Sequence, residues 1–294
     1  MQRNKPLFLI FFILFLLIIV SFFYSCKRKT KEIEIIPDAL KNHLQRARLF
    51  GNIHTLETDT YYYSSKDSLF IFLNKTMQFY SSDGYLTQVV VLDRNNDTVS
   101  KKTVYYLPSA QEKHWVEYNY KNHSIAKDTF LYDISGFKKE EQVWENDSLL
   151  YKIQYKTDGI GSIIEMKRLL PNYHLTNKIY YNEYGLVARI EEYDPYNKLY
   201  KFFTLEYDNY GDEVNRRAYK NAHEIIEYTY TQYSSDGLLQ KVIFEDRLHN
   251  MREDRMYAQH DAKGNWLKEV VLQGGDTLRK RDRRVLYYGI LNKY

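Results

Sequence analysis

Ile179-Tyr180-Tyr181-Asn182-Glu183-Tyr184-Gly185-Leu186-Val187-Ala188-Arg189-Ile190-Glu191, then Asp194-Pro195-Tyr196-Asn197 and the run Leu199 to Tyr207, is the stretch whose reading decides the fold. Leu186, Ala188 and Ile190 alternate with Val187, Arg189 and Glu191. Leu199, Lys201, Phe203, Leu205 and Tyr207 line one side of the next run. Alternation with a period of two, bounded by turn residues, marks half-buried strands. The unit is therefore two strands and two turns.

Outward from this unit the pattern repeats. Turn residues recur at Gly84, Ala110 (a degenerate copy), Gly136, Gly159, Gly185, Gly211, Gly237 and Gly264, with steps of 26, 26, 23, 26, 26, 26 and 27 residues. Four positions upstream stand Tyr80, Tyr106, Tyr132, Tyr155, Tyr181, Tyr207 and Tyr233, and then His260 breaks the column. A fixed period of this length is the mark of a repeat architecture. The first turns also carry Asx residues, either one position before the glycine (Asp83, Asp158, Asp236) or three before it (Asp133, Asn182, Asp208, Asp261). Such residues bond their own backbone in tight turns. Single acids spaced along a sheet do not gather the oxygens that a calcium ion requires.

Eight such units predict an all-β fold: an antiparallel β-meander of about 16 strands. Laid flat at about 4.8 Å per strand it would span about 75 Å. Open twisted sheets rarely exceed about ten strands, so the sheet is expected to curl strongly into a trough or partial barrel. Residues two before the column (Phe130, Ile153, Ile179, Leu205) are apolar, which places the tyrosines on the packed face with their hydroxyls toward the wet turns. The column and its glycines are thus read as structural.

The N-terminus is a separate matter. Arg3 and Lys5 precede an 18-residue apolar run, Leu7 to Tyr24, which ends at Ser25 and at Cys26, the single cysteine. A basic start, an apolar run and a small residue before the cut describe an export signal. The segment resembles a bacterial lipoprotein signal. That resemblance implies a signal peptide at 1–25 and lipid attachment, palmitate included, at Cys26. An uncleaved anchor is the alternative, because 18 apolar residues are just long enough to cross a bilayer. Residues 26–36 read as a tether. Residues 37–50 read as a short helix, from the spacing of Leu40, Leu44 and Ala47, ending at Gly51 and placed to plug one end of the sheet. Residues 51–294 form the repeat domain.

The formal charge of +4 rests on 42 basic and 38 acidic residues. Removing Arg3, Lys5 and the cluster Lys27, Arg28, Lys29 and Lys31 leaves 36 basic residues, so the repeat domain is slightly acidic and has no nucleic-acid footprint. The basic cluster suits anionic headgroups beside an anchor. One cysteine excludes an internal disulfide framework. No His-Glu-x-x-His, Gly-x-Ser-x-Gly or phosphate-binding glycine loop is present, so no catalytic residue, metal or cofactor is expected. Glu140-Glu141 and Glu191-Glu192 must point to opposite faces of their strands, which makes them poor acid/base partners.

Tyr132-Asp133-Ile134-Ser135-Gly136, Tyr207-Asp208-Asn209-Tyr210-Gly211 and His260-Asp261-Ala262-Lys263-Gly264-Asn265 resemble the YD repeat of RHS-like proteins. With the signal segment, the chain looks like repeat lipoproteins of Gram-negative bacteria. Tyr180-Tyr181-Asn182-Glu183-Tyr184-Gly185-Leu186 bears a weaker similarity to MORN-like repeats, whose unit is usually shorter. With the lack of catalytic motifs and the basic residues after Cys26, these resemblances point to an expected non-enzymatic, lipid-anchored outer-membrane protein facing the periplasm. Its curved sheet would bind a protein or an envelope polymer such as a polysaccharide. Glycan binding or processing, suggested by an aromatic content of 16%, and an immunity or antitoxin-like role are the alternatives.

Overall fold

The structure is a computed structural model that describes residue 47, residues 49–221 and residues 223–288. Its strands are β1 (Ile53–Ser64), β2 (Leu69–Tyr80), β3 (Leu86–Leu92), β4 (Thr98–Tyr106), β5 (Glu112–Asn119), β6 (Ser124–Tyr132), β7 (Lys138–Glu145), β8 (Ser148–Thr157) and β9 (Ile163–Leu169). They continue as β10 (His174–Tyr181), β11 (Val187–Tyr193), β12 (Leu199–Tyr207), β13 (Glu213–Tyr219), β14 (Ile225–Tyr233), β15 (Leu239–Asp246), β16 (Met251–His260), β17 (Trp266–Gln273) and β18 (Asp276–Tyr287). Each pairs antiparallel with the next, and β18 pairs with β1 from Ile53↔Tyr287 to Tyr62↔Arg279.

The sheet is therefore a closed 18-stranded barrel, which corrects the expectation of a curled meander of 16 strands. The two uncounted strands are the first and the last. β1 precedes the first turn glycine, and β18 ends in Tyr287, a ninth member of the tyrosine column with no turn glycine after it. Closure gives both edges a partner and removes the unpaired N–H and C=O groups of an open sheet. No helix occurs among the described residues. Leu49 and Phe50, at the end of the expected helix, are irregular, and residues 37–46 and 48 lie outside the described residues, as do the signal, tether and Cys26.

Register assigns the two faces. Leu205 pairs with Arg216, Phe203 with Ile190 and Ala218, and the chain of pairings carries this face round to Asp128, Val104 and Leu56. Leu56, Tyr80, Val104, Phe130, Leu205 and Val271 are buried and share the face of the tyrosine column, whereas buried Phe202 lies on the other. Side chains converge on the concave side of a barrel, so the column face is the lumen. Strands at about 4.8 Å spacing make this barrel about 30 Å across, wide enough for an aqueous interior. Among the described residues, Leu49, Ile53, Leu56 and Tyr80 form a packed cluster at the rim, with Leu86, Val285 and Tyr287 against it.

The tyrosine column has a definite task. Between units the ladder stops short of the glycine turns: β11 and β12 begin pairing at Arg189↔Thr204, and β3 and β4 at Gln88↔Thr103. The carbonyl two residues beyond that point has no strand partner. Tyr207 Oη donates to it at Val187 O (2.8 Å), Tyr106 to Leu86 O, Tyr132 to Glu112 O (2.7 Å) and Tyr181 to Ile163 O (2.9 Å). His260 Nε2 lies 3.0 Å from Leu239 O in the same role. The hydroxyls thus serve the backbone of the preceding unit and not the solvent, as the sequence had suggested.

Two departures in the repeat resolve differently. Gly159 is not the turn glycine. Gly161 carries the left-handed φ of +90°, and a Cβ there would meet the Phe137 ring at 2.5 Å. The column slot of that unit is then Thr157, paired with Ile163, and Tyr155 sits one layer deeper. Asp158 falls three before Gly161, and its Oδ1 accepts from Ile160 N and Ser162 N as Asp133, Asn182, Asp208 and Asp261 do in their turns. Ala110, by contrast, keeps the standard turn, with φ of +62° and N donating to Leu107 O at 2.9 Å.

Two changes test this account by urea unfolding. Tyr207→Phe leaves the Val187 carbonyl without its donor and should cost about 1 kcal/mol, lowering the midpoint. Ala110→Gly relieves a left-handed alanine and should raise the midpoint by the equivalent of about 1 kcal/mol. A lowered midpoint for the glycine variant contradicts the turn assignment.

Candidate functional site: the charged lumen

The misplaced tyrosine leads to a group of ionisable side chains in the lumen. Tyr155, shifted inward because Thr157 holds the column slot, donates its hydroxyl to Glu141 Oε2 at 2.6 Å. Lys138 Nζ lies 2.9 Å from the same oxygen and over the rings of Phe130 (4.2 Å) and Tyr155 (4.7 Å). Register puts Glu141 opposite Phe130 and Ile153, and Asp128 opposite Val143 and Trp115. Asp128 is 8% exposed, and it lies diagonally across the β6–β7 ladder from Glu141, near enough to feel its charge. Lys102 stands over Trp115 at 3.6 Å on the far side.

Burial, reinforced by the negative charge of Glu141, pushes the Asp128 carboxyl up to about 6. Burial lowers the Lys102 ammonium, against the pull of Asp128 and Glu117. Burial and then the bond to Glu141 raise the Tyr155 phenol. Asp128 Oδ1 is buried without a hydrogen-bond partner. The arrangement can hold and release a proton near neutrality.

The sequence-derived site residues fall into three sets. Tyr80, Tyr106, Tyr132, Tyr181, Tyr207, Tyr233, His260 and Tyr287 end alternate strands on the inward face and form a ring at the glycine-turn end, while Tyr155 lies below it. Gly84, Gly136, Gly185, Gly211, Gly237 and Gly264 hold the turns of that rim with positive φ, and Gly159 does not. Beside His260, whose ring is shorter than a phenol, the rim opens into a cavity of about 600 Å³ lined by Tyr233, Ser235, Asp236, Gln240 and Tyr257. Glu140 and Glu141 do point to opposite faces, as do Glu191 and Glu192. The pair that forms, Asp128 with Glu141, comes from different strands and carries no local signal. Among the described residues no three metal-binding side chains converge.

No protein-family model matches the chain, and no curated protein does. Solved structures similar to it include a porin-like protein from Bacteroides uniformis, at 14% identity over 80% of this chain and 96% of that one, with a TM-score of 0.44. A porin-like protein from Bacteroides vulgatus is similar at 10% identity, covering 79% and 98%, with a TM-score of 0.39. The TcdB2-TccC3-TEV structure is similar at 11% identity over 70% of this chain and only 14% of its own, with a TM-score of 0.35.

Asp128 supplies a pH test. Its folded carboxyl binds a proton more readily than the ordinary value of 3.8 allows, so the folded state loses stability as pH rises from about 4 to about 6. Asp128→Asn removes that loss. Its unfolding free energy relative to the native chain should be unchanged near pH 4 and higher by on the order of 2 kcal/mol at pH 7. Urea titrations at the two pH values give the difference, and a constant offset rejects the assignment.

Proposed function

We propose that the chain is a non-enzymatic cell-envelope protein. In this reading it is a hollow, water-filled barrel tethered by a lipid at Cys26 to the periplasm-facing side of the outer membrane. It takes a protein or envelope-polymer ligand on its walls, and the YD-like repeat belongs to the same reading. The observation that carries it is the charge on both faces of a closed barrel. Ion pairs ring the convex face: Lys75–Asp59, Lys152–Glu140, Arg189–Glu191, Arg217–Glu206 and Lys241–Asp254. They put charge on the wall that a membrane-spanning barrel turns to lipid. Each Arg or Lys on a lipid-facing wall costs about 2–4 kcal/mol at the bilayer midplane, so the reading keeps the barrel in water and gives membrane attachment to the N-terminal segment.

Labelling with radioactive palmitate tests the tether, and planar-bilayer recording tests the barrel. Incorporation should be present in the native chain and absent from Cys26→Ala, and labelling that survives the substitution removes the lipoprotein reading. Purified protein added to a planar bilayer should give no stepwise conductance. Steady unitary currents would make it a membrane-spanning channel instead.

A further inference from the structure

The lumen is not evenly charged, and the excess of cations gathers on one strand. Arg279, Arg281 and Arg283 of β18 share the inward face at successive two-residue steps, opposite Val271, Glu269 and Thr58 respectively. Their neighbours on β1 and β2 on the same face are Thr58, Thr60, Thr76 and Gln78, none of them acidic. The acids of β1, Glu57 and Asp59, turn to the convex face and meet Lys75 there. On the other flank, Glu269 takes Arg281 at 2.8 Å, and Glu253 takes Arg255 at 2.5 Å. Four arginines thus meet two carboxylates. Arg279 Nε and Arg283 Nε are buried without a hydrogen-bond partner. Arg283 lies 3.4 Å over the Trp266 ring.

Arg281 has its carboxylate, but Arg279 and Arg283 have no ion-pair partner among the described residues. Unpaired like charges along one strand destabilise it, and burial holds the Arg283 guanidinium down to about 10. Guanidinium forks match the oxygens of phosphate-type anions bidentately, and adjacent forks reinforce one another.

We infer that Arg279, Arg281 and Arg283 form a lumenal site for a tetrahedral oxyanion, phosphate or sulfate, either free or borne as an ester on a larger ligand. Hydroxyls of Thr58 and Thr60 line one side, and Trp266 lies beneath one end. The inference rests on the reading of the barrel as hollow and water-filled. It does not depend on the tether, so the palmitate test and the one below fail independently.

The test uses the full chain in a nonionic detergent, titrated with sodium phosphate against sodium chloride at matched ionic strength. The native chain should show a saturable change in tryptophan emission and a phosphate-dependent rise in melting temperature. Trp266→Phe should lose most of the emission change and keep the rise. Arg279→Gln should melt no lower than the native chain in chloride, and its phosphate response should be weaker by about tenfold, the loss of one charge-assisted contact. Arg252→Gln, on the convex face, should respond as the native chain does. Phenyl phosphate run in parallel separates the sources: tighter binding than phosphate indicates an ester-borne group, and equal binding indicates the free anion. A native chain without a saturable phosphate response, or an Arg279→Gln chain that keeps it in full, overturns the site.

Discussion

One backbone carbonyl per repeat, stranded where the ladder between units ends, sets the terms for the whole barrel. The chain must leave each glycine turn, twist through a bulge and rejoin its neighbour, and the bulge between Tyr180↔Arg189 and Tyr181↔Val187 shows how. A buried or half-buried carbonyl without a donor is costly. The phenol of the next unit reaches back twenty residues to supply the donor, and an imidazole does so at position 260. Tyrosine is suited to the task because its ring spans the gap and lines the lumen while its hydroxyl ends at the backbone. The 26-residue period is the sequence trace of this bond, which Tyr106, Tyr132, Tyr181, Tyr207 and His260 make, while Tyr155 turns to Glu141 and Tyr287 to Asp261.

The closed ladder changes where stability comes from. Packed clusters are sparse: the apolar group at Leu49, Ile53, Leu56 and Tyr80 seals only the point where the chain enters the barrel. There Asn265 brackets Phe50, accepting from its N–H at 2.7 Å and donating to its carbonyl at 2.9 Å, and the same amide meets Tyr287 Oη at 2.8 Å. The turn between β16 and β17 thereby ties the segment leading into the first strand to the end of the last. Elsewhere cross-strand pairs hold the two surfaces, such as Phe202 stacked on Tyr219 outside and Lys201 paired with Glu227 inside. The lumen is left free to carry charges that a packed core would exclude.

Much of this was legible in the residues, for reasons that can be named. The hairpin unit and the inward face of Lys201, Phe203, Leu205 and Tyr207 follow from alternation alone, and the structure keeps them. Closure was not legible, because β1 and β18 lack a complete copy of the tyrosine–glycine pair and so escape a count made on that pair. Gly159 and Gly161 are both glycines in one turn, and only the backbone conformation distinguishes the one the turn requires. The acid pair and the arginine stripe were hidden for a further reason. Asp128 and Glu141, or Arg283 and Trp266, become neighbours through strand register, which no local pattern records.

Because the stabilising bond is made between consecutive hairpins, it is indifferent to how many hairpins there are. Duplicating or deleting one 26-residue unit would add or remove two strands, about 10 Å of circumference, and leave the bonds between the other units in place. The only junction that senses the total is the seam where β18 meets β1. A barrel built this way changes its bore in discrete steps of one hairpin, and the change is felt at a single joint.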